Sequence, residues 1–483
     1  MKSIKALLVS ALVLVFAAPA YAETQNVKVS GSIDAYSFYR SNYDLADNND
    51  AGSVTTADST GAITPPAQSH SGSAVHRSEG DAYFMSITQV GVNADLTDNV
   101  STVINLVNQR DWNADAFGSG GGLNPSLAQG ATISNGEFDV ILDLAYVQMK
   151  EIFYAPLTLT IGRQDLLFGR GFIVGWNPQD PEGSIQADEF TQVQSFDALR
   201  ATLDFNPWTI DLVYSKLNEN SHNPEDDRDL YIANVNYKFA EYNAVAELYY
   251  VGETDKATLA GSAGTKNNDT HTFGGRVQFD PISQITLGAE LAYQGGDYRS
   301  TVTSAGRDRE AIGADIFGEY RFDNPWKSML GLQYVYLSGE SITSTGTTDS
   351  YGAWNGAFRG PIYGWIHDYK EVYYSTGQVG DQPAGQNLQH ISIYGSMNPV
   401  EDLKLTANFW IMNTPEDVHI AGTPASSTLD EDLGQELDLA AIYSYTEDVT
   451  FTFMADWYFP GDHYNAGFDE TASQYVTEVK VVF

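Results

Sequence analysis

The stretch YVTEVKVVF, residues 475–483, closes the chain and decides how the rest of it is read. Tyr475, Thr477, Val479, Val481 and Phe483 share one apolar face, while Val476, Glu478, Lys480 and Val482 make a mostly polar one. A two-residue period belongs to a β-strand, and a strand running flush to a terminus needs a neighbour on each side or leaves an edge open to aggregation. The same period recurs upstream, in Val27, Val29, Gly31, Ile33 and Ala35, and again in Ile285, Leu287, Ala289, Leu291 and Tyr293. Off-phase positions carry the charge: Arg200, Asp204, Arg276, Glu290, Asp315, Glu319, Arg321, Glu436 and Asp438. The rhythm predicts about eighteen antiparallel strands, a number at which a closed barrel encloses an aqueous channel.

The connections sort into two kinds. Tight turns such as LTDN at 96–99, FNPW at 205–208, DPIS at 280–283 and YTED at 445–448 alternate with long polar loops near 41–81, 113–137, 169–195, 339–386 and 413–433. Short turns on one rim and long loops on the other are the habit of outer-membrane barrels, with the short side periplasmic. A barrel also removes the open edge, because its last strand pairs with its first.

The amino terminus agrees. Met1, Lys2 and Lys5 precede an apolar run over 6–18 that ends at Ala20-Tyr21-Ala22, the pattern of a secretory signal with its cleavage site. The expected organisation is a signal peptide at 1–22 and a single transmembrane barrel at 23–483. The apolar run is shorter than the roughly 20 residues a helical span requires, and every later apolar run is interrupted sooner. With no cysteine, the chain has neither disulfides nor a haem-attachment motif. A formal charge of -38 argues against nucleic acid and against unaided docking on anionic lipid. Aromatic residues at 12%, 29 of them tyrosine, suit the girdles at the two membrane interfaces.

Two places resist the scheme. In LTLTIGRQDLLFG, the parity that turns Leu157, Leu159 and Ile161 outward turns Arg163 outward too, so either Gly162 marks a bulge that re-aims the arginine or Arg163 lies at the interface. The phase of the strand near 138–150 is ambiguous.

Several stretches resemble the alginate export family of outer-membrane barrels: LTLTIGRQDLLFGRG at 157–171, SFDALRATLDF at 195–205, LGQELDLAAIYSY at 433–445 and WYFPGDHY at 457–464. The resemblance implies an eighteen-stranded pore in the outer membrane of a Gram-negative bacterium, and for the named exporters a polyuronate passing a lumen lined by basic residues. Arg163, Arg200 and Arg276 match as candidate pore bases. The interleaved inward acids depart from that pattern, since a focused negative potential repels a polyanion and admits cations. Phe483 with Tyr475 eight positions before it resembles the signal that such barrels present to their assembly machinery.

The functional expectation is passive passage of hydrophilic solutes or polysaccharide, selected by lumen width and wall charge, with outer-membrane lipid and lipopolysaccharide around the wall. A polyuronate exporter and a sheath around an electron-transfer cytochrome are the alternatives. Trp354, Phe358, Tyr363 and Trp365 lie in the longest loop and form an inward constriction, a rim girdle or a self-packed loop core. Acidic loop runs lack the spacing of a calcium loop, and no GxSxG or HExxH motif is present, so neither a metal, a cofactor nor an enzyme is expected. His390 and Ser392 share a strand face, but an orienting group and an oxyanion hole do not accompany them.

Overall fold

The computed structural model describes residues 26–43, 45, 81–112, 140–177, 185, 187–219, 227–256, 268–299, 306–340, 350–368, 387–416, 430–464 and 469–483. The expected signal peptide at 1–22, most of the loop at 41–81 and the loop at 113–137 lie outside the described residues.

Strands β1 (Asn26–Ser41), β2 (Asp81–Thr97), β3 (Val100–Asp111), β4 (Ile141–Met149), β5 (Leu157–Gln164) and β6 (Phe196–Asp204) form the first third. β7 (Trp208–Glu219), β8 (Asp227–Lys238), β9 (Val245–Asp255), β10 (Asn268–Ile282), β11 (Ile285–Arg299) and β12 (Gly306–Arg321) follow. The remainder is β13 (Met329–Leu337), the two-residue β14 (Ser350–Tyr351), β15 (Leu388–Val400), β16 (Leu403–Asn413), β17 (Asp432–Ser444), β18 (Val449–Pro460) and β19 (Ala472–Val482). Each long strand pairs antiparallel with its sequence neighbours, β1 pairs with both β2 and β19, and β14 lies parallel beside the loop end of β12. The result is a closed barrel of eighteen strands.

The closing seam answers the question the last strand poses. Phe483 N–H donates to Gly31 O at 3.0 Å and Gly31 N–H donates to Phe483 O at 2.8 Å, so hydrogen bonding runs to the final residue. Gly31 is required here, because a Cβ at that position meets the Gln89 backbone O at 2.6 Å and the Phe483 ring at 2.7 Å.

Alternation is clearest in β12, where Ile312, Ile316 and Tyr320 face outward and exposed while Arg309, Asp315 and Phe317 are buried inward. Exposed Phe205, Trp208, Phe239, Tyr242, Trp326 and Tyr445 mark the turn-side rim, and Tyr39, Phe84, Trp112, Tyr231 and Phe459 mark the loop side. These are the aromatic belts of a bilayer-spanning wall. Leu248, 70% exposed on the outer face of β9, lies between them. Leu248→Arg is expected to cost about 2–4 kcal/mol of folding free energy near the midplane, read as a shift in the urea midpoint in vesicles.

Both irregular places have physical explanations. A register shift between Asn105 and Leu106 marks a bulge in the pairing of β3 with β4, so Leu142 and Val147, of opposite parity, are both exposed. Asp143 sits at the bulge and accepts from Ser195 Oγ at 3.2 Å and Asn105 Nδ2 at 3.2 Å. Arg163 has no bulge to turn it, because its ladders to Ala145 and Asp197 are unbroken despite the φ of 123° at Gly162. It therefore stays on the outer face at the loop end of β5, with Asp197 Oδ2 at 3.2 Å from Nη1. As a pore base Arg163 is corrected: it is an interface residue, where charge is tolerated.

Candidate functional site

The lumen is not an open tube. Two connections that begin at the loop-side rim turn inward and meet inside the barrel. Residues 165–177, 185 and 187–195 include Leu166, Phe172, Val174, Ile185, Phe190 and Val193 in buried positions, and residues 352–368 include Trp354, Phe358, Tyr363 and Ile366. Each packs on apolar residues of the inner wall: Phe172, Trp354 and Tyr363 against Val335, Leu388 and Trp410, and Phe358 against Phe196 and Val213. Trp365 stacks on Phe190 with centroids 4.8 Å apart, so the two loops also hold each other. The four aromatics of the longest loop are thus in the lumen, and Tyr369, Tyr373 and Tyr374 lie outside the described residues.

Backbone joins the loops as well. Gly175 N–H and Trp176 N–H donate to Phe358 O at 2.9 and 3.2 Å, and Gly360 N–H donates to Gly171 O at 2.8 Å. The second loop is stapled to the wall by one carboxylate: Glu436 accepts from Ile366 N–H at 2.7 Å and His367 N–H at 2.8 Å. Asp368 accepts from Tyr363 N–H at 2.7 Å and Arg359 Nη2 at 3.0 Å. Burial pushes the Tyr363 phenol above its ordinary value, so it stays neutral beside Arg359.

A charged belt crosses the wall where the first loop reaches its tip. Glu247, Arg276, Glu290 and Asp315 stand opposite one another on β9, β10, β11 and β12. Arg276 Nη1 bonds Glu247 Oε1 at 2.7 Å, and Tyr249 Oη donates to Glu290 Oε1 at 2.8 Å. Gly169, at φ 57°, lies directly on this belt. The next residue, Arg170, stacks over the Phe317 ring at 3.7 Å. Arg200 faces inward, bonded to Asp211 Oδ1 at 2.8 Å.

Asp204 and Arg321 take the inward parity but sit at the turn-side rim. Asp204 caps its turn by accepting from Asn206 N–H at 3.2 Å, and Arg321 bonds Glu319 Oε2 at 3.1 Å. Glu436 and Asp438 are buried in the inner wall below the second loop. His390 and Ser392 are buried too, with neither ring nitrogen nor Oγ hydrogen-bonded, and His390 is packed between Tyr363 and Trp410. Among the described residues no His, Cys, Asp and Glu group is arranged to hold a metal ion.

Alternation alone misses the inward path of residues 165–177 and hence Arg170. The available signal is composition: LLFGRGFIV at 166–174 is too apolar for a loop in water.

A family profile described as alginate export matches residues 69–478. The chain belongs to the alginate export family. As a member, and as a closed eighteen-stranded barrel, it is an outer-membrane channel of the Gram-negative envelope. Its wall contacts membrane lipid and its lumen passes hydrophilic solute. No curated relative matches the chain.

Solved structures share the fold. OccAB2 of Acinetobacter baumannii aligns with a TM-score of 0.53 at 10% identity over 96% of this chain and 99% of that one. OpdK of Pseudomonas aeruginosa, solved with vanillate, gives 0.52 at 10% identity over 95% and 99%. The cytochrome-sheath alternative gains no support from family or fold, and the chain's own loops occupy the lumen such a partner would need.

Proposed function

We propose that this member of the family is a passive, cation-preferring channel for small hydrophilic solutes, without catalytic activity. The observation that carries the reading is the pairing of two lumen-filling loops with an inner wall on which carboxylates outnumber the bases that pair with them. Arg200 and Arg276 are each bonded to a carboxylate, whereas among the described residues Asp315, Glu319, Asp438 and Asp456 have no basic partner within ion-pair distance except Arg321 at the rim. Wall charge and width are what a channel without an energy source has to select with.

Polyuronate export is the second reading. It is favoured by family membership and by Arg170, whose Nη1 has no hydrogen-bond partner and whose guanidinium lies on the loop tip. Liposome swelling separates the two. Small neutral sugars and amino compounds are expected to enter and oligouronates to be excluded; rapid oligouronate entry would replace the first reading with the second.

The export signal at 1–22, lipopolysaccharide contact at the loop-side rim and delivery by the barrel assembly machinery belong to the same proposal. Phe483 is 61% exposed on the outer face at the turn-side end, and Tyr475 lies on the same face of β19. Deletion of Phe483 is expected to lower the amount of folded protein in the outer membrane several-fold, measured by heat-modifiable mobility of membrane fractions. The unaltered barrel refolded in detergent supplies the reference.

A further inference from the structure

We propose that the lumen holds a binding site for a small organic cation bearing N–H donors, built on Asn408, Asp438 and Asp456. These three stand directly opposite one another on β16, β17 and β18. Opposed positions on one sheet face put side chains about 5 Å apart, and like charges placed there are destabilising unless something compensates them.

Asp438 is oriented by the Trp410 indole, the Trp365 backbone N–H and its neighbour Glu436, and Asp456 by the Gln474 amide. Trp410 Nε1 donates to Asp438 Oδ2 at 2.8 Å, and Gln474 Nε2 donates to Asp456 Oδ2 at 3.0 Å. The other oxygen of each, together with Asn408 Oδ1, is buried and has no hydrogen-bond partner among the described residues. Asp438 is 9% and Asp456 0% exposed, so bulk water does not screen them. Three residues in a row, each keeping one oxygen that no donor among the described residues fills, describe the complement of an ammonium or guanidinium group.

The space beside them fits that occupant. A cavity of about 340 Å3 is lined by these three residues and by Trp365, Trp410 and Tyr394. Carboxylates with aromatic walls are how proteins hold organic cations, the ring faces adding cation–π attraction. A bare divalent ion suits the row less well, since no group of three His, Cys, Asp or Glu among the described residues is set to ligate one. Lys404 shares the cavity wall but lies four residues below Asn408 on β16, about 13 Å along a strand, so it does not fill the role from within. The proposal rests on the channel reading above and names a solute class for it.

Calorimetric titration of the detergent-solubilised full-length barrel tests it, with 1,4-diaminobutane, 1,4-butanediol and magnesium chloride at matched ionic strength. Saturable binding of the diamine is expected, with no binding of the diol. Asp438→Asn combined with Asp456→Asn is expected to weaken diamine binding by at least about tenfold, since it removes the charge while relieving the like-charge contact. Absence of saturable diamine binding, equal affinity for the diol, magnesium binding that is lost in the same double variant, or undiminished affinity in that variant would each overturn the site. Heat is read without current. A barrel that fails to conduct, or conducts with anion preference, therefore contradicts the channel reading separately, and a cation-selective barrel that ignores the diamine contradicts the site alone.

Discussion

Gly175→Val is expected to raise single-channel conductance several-fold. The reason is the junction at which the two inward loops touch. A Cβ at position 175 meets Gly171 Cα at 2.8 Å and Gly360 Cα at 3.2 Å, both backbone atoms that cannot swing aside. Valine therefore pushes the loops apart and strains the bonds that Gly175 N–H and Trp176 N–H make to Phe358 O, each worth about 1 kcal/mol net. The wall is untouched, because its ladders do not pass through this junction, so the barrel keeps its heat-modifiable mobility. Planar-bilayer recording of the variant beside the parent decides the matter. Equal conductance in both would mean that the meeting of the loops does not set the width of the passage.

The second large effect is on stability. Arg276→Ala removes the base from between Glu247 and Glu290, which are 6% and 5% exposed, with Asp315 next in the row at 2%. Breaking a buried ion pair by deleting one partner strands the other charge, at a cost of about 3–5 kcal/mol. The guanidinium also bonds Gln278 Oε1 at 2.5 Å and packs under Gly169, so the loop tip loses its seat as well. Urea unfolding in lipid vesicles is the measurement, and adding Glu247→Gln to Arg276→Ala is expected to recover part of the loss by removing the stranded charge. A change below about 1 kcal/mol would mean that water reaches the belt and screens it as at a surface.

How far the sequence carries this account depends on which force fixes each feature. Lipid on one side and polar lumen on the other impose the strand rhythm, so Ile312, Ile316 and Tyr320 on one face and Asp315 and Glu319 on the other can be read directly. The seam is legible for the same reason, since the alternation over 475–483 is that of a strand with a partner on each side. Local irregularity is less so. Parity alone does not reveal the bulge that brings Asp143 to Ser195, and it leaves open whether Arg163 is turned inward or sits at the interface. The lumen contents are least legible. A loop's direction is set by what it packs on, and Phe172 against Trp354 or Phe190 against Trp365 are meetings of residues far apart in the chain. In hindsight the apolar run at 166–174 and the aromatic run at 354–365 carry one message: loops of that composition bury themselves, and inside a barrel the lumen is where they do it.

On the proposed reading, unmatched inner-wall carboxylates govern a passage narrowed by the chain's own loops. Its most direct test is the reversal potential of the purified, refolded barrel in a planar bilayer under a potassium chloride gradient. A potential of the sign that reports potassium preference is what this account predicts. Chloride preference would contradict it, showing that Arg170 and Arg200 rather than Asp315, Asp438 and Asp456 command the passage.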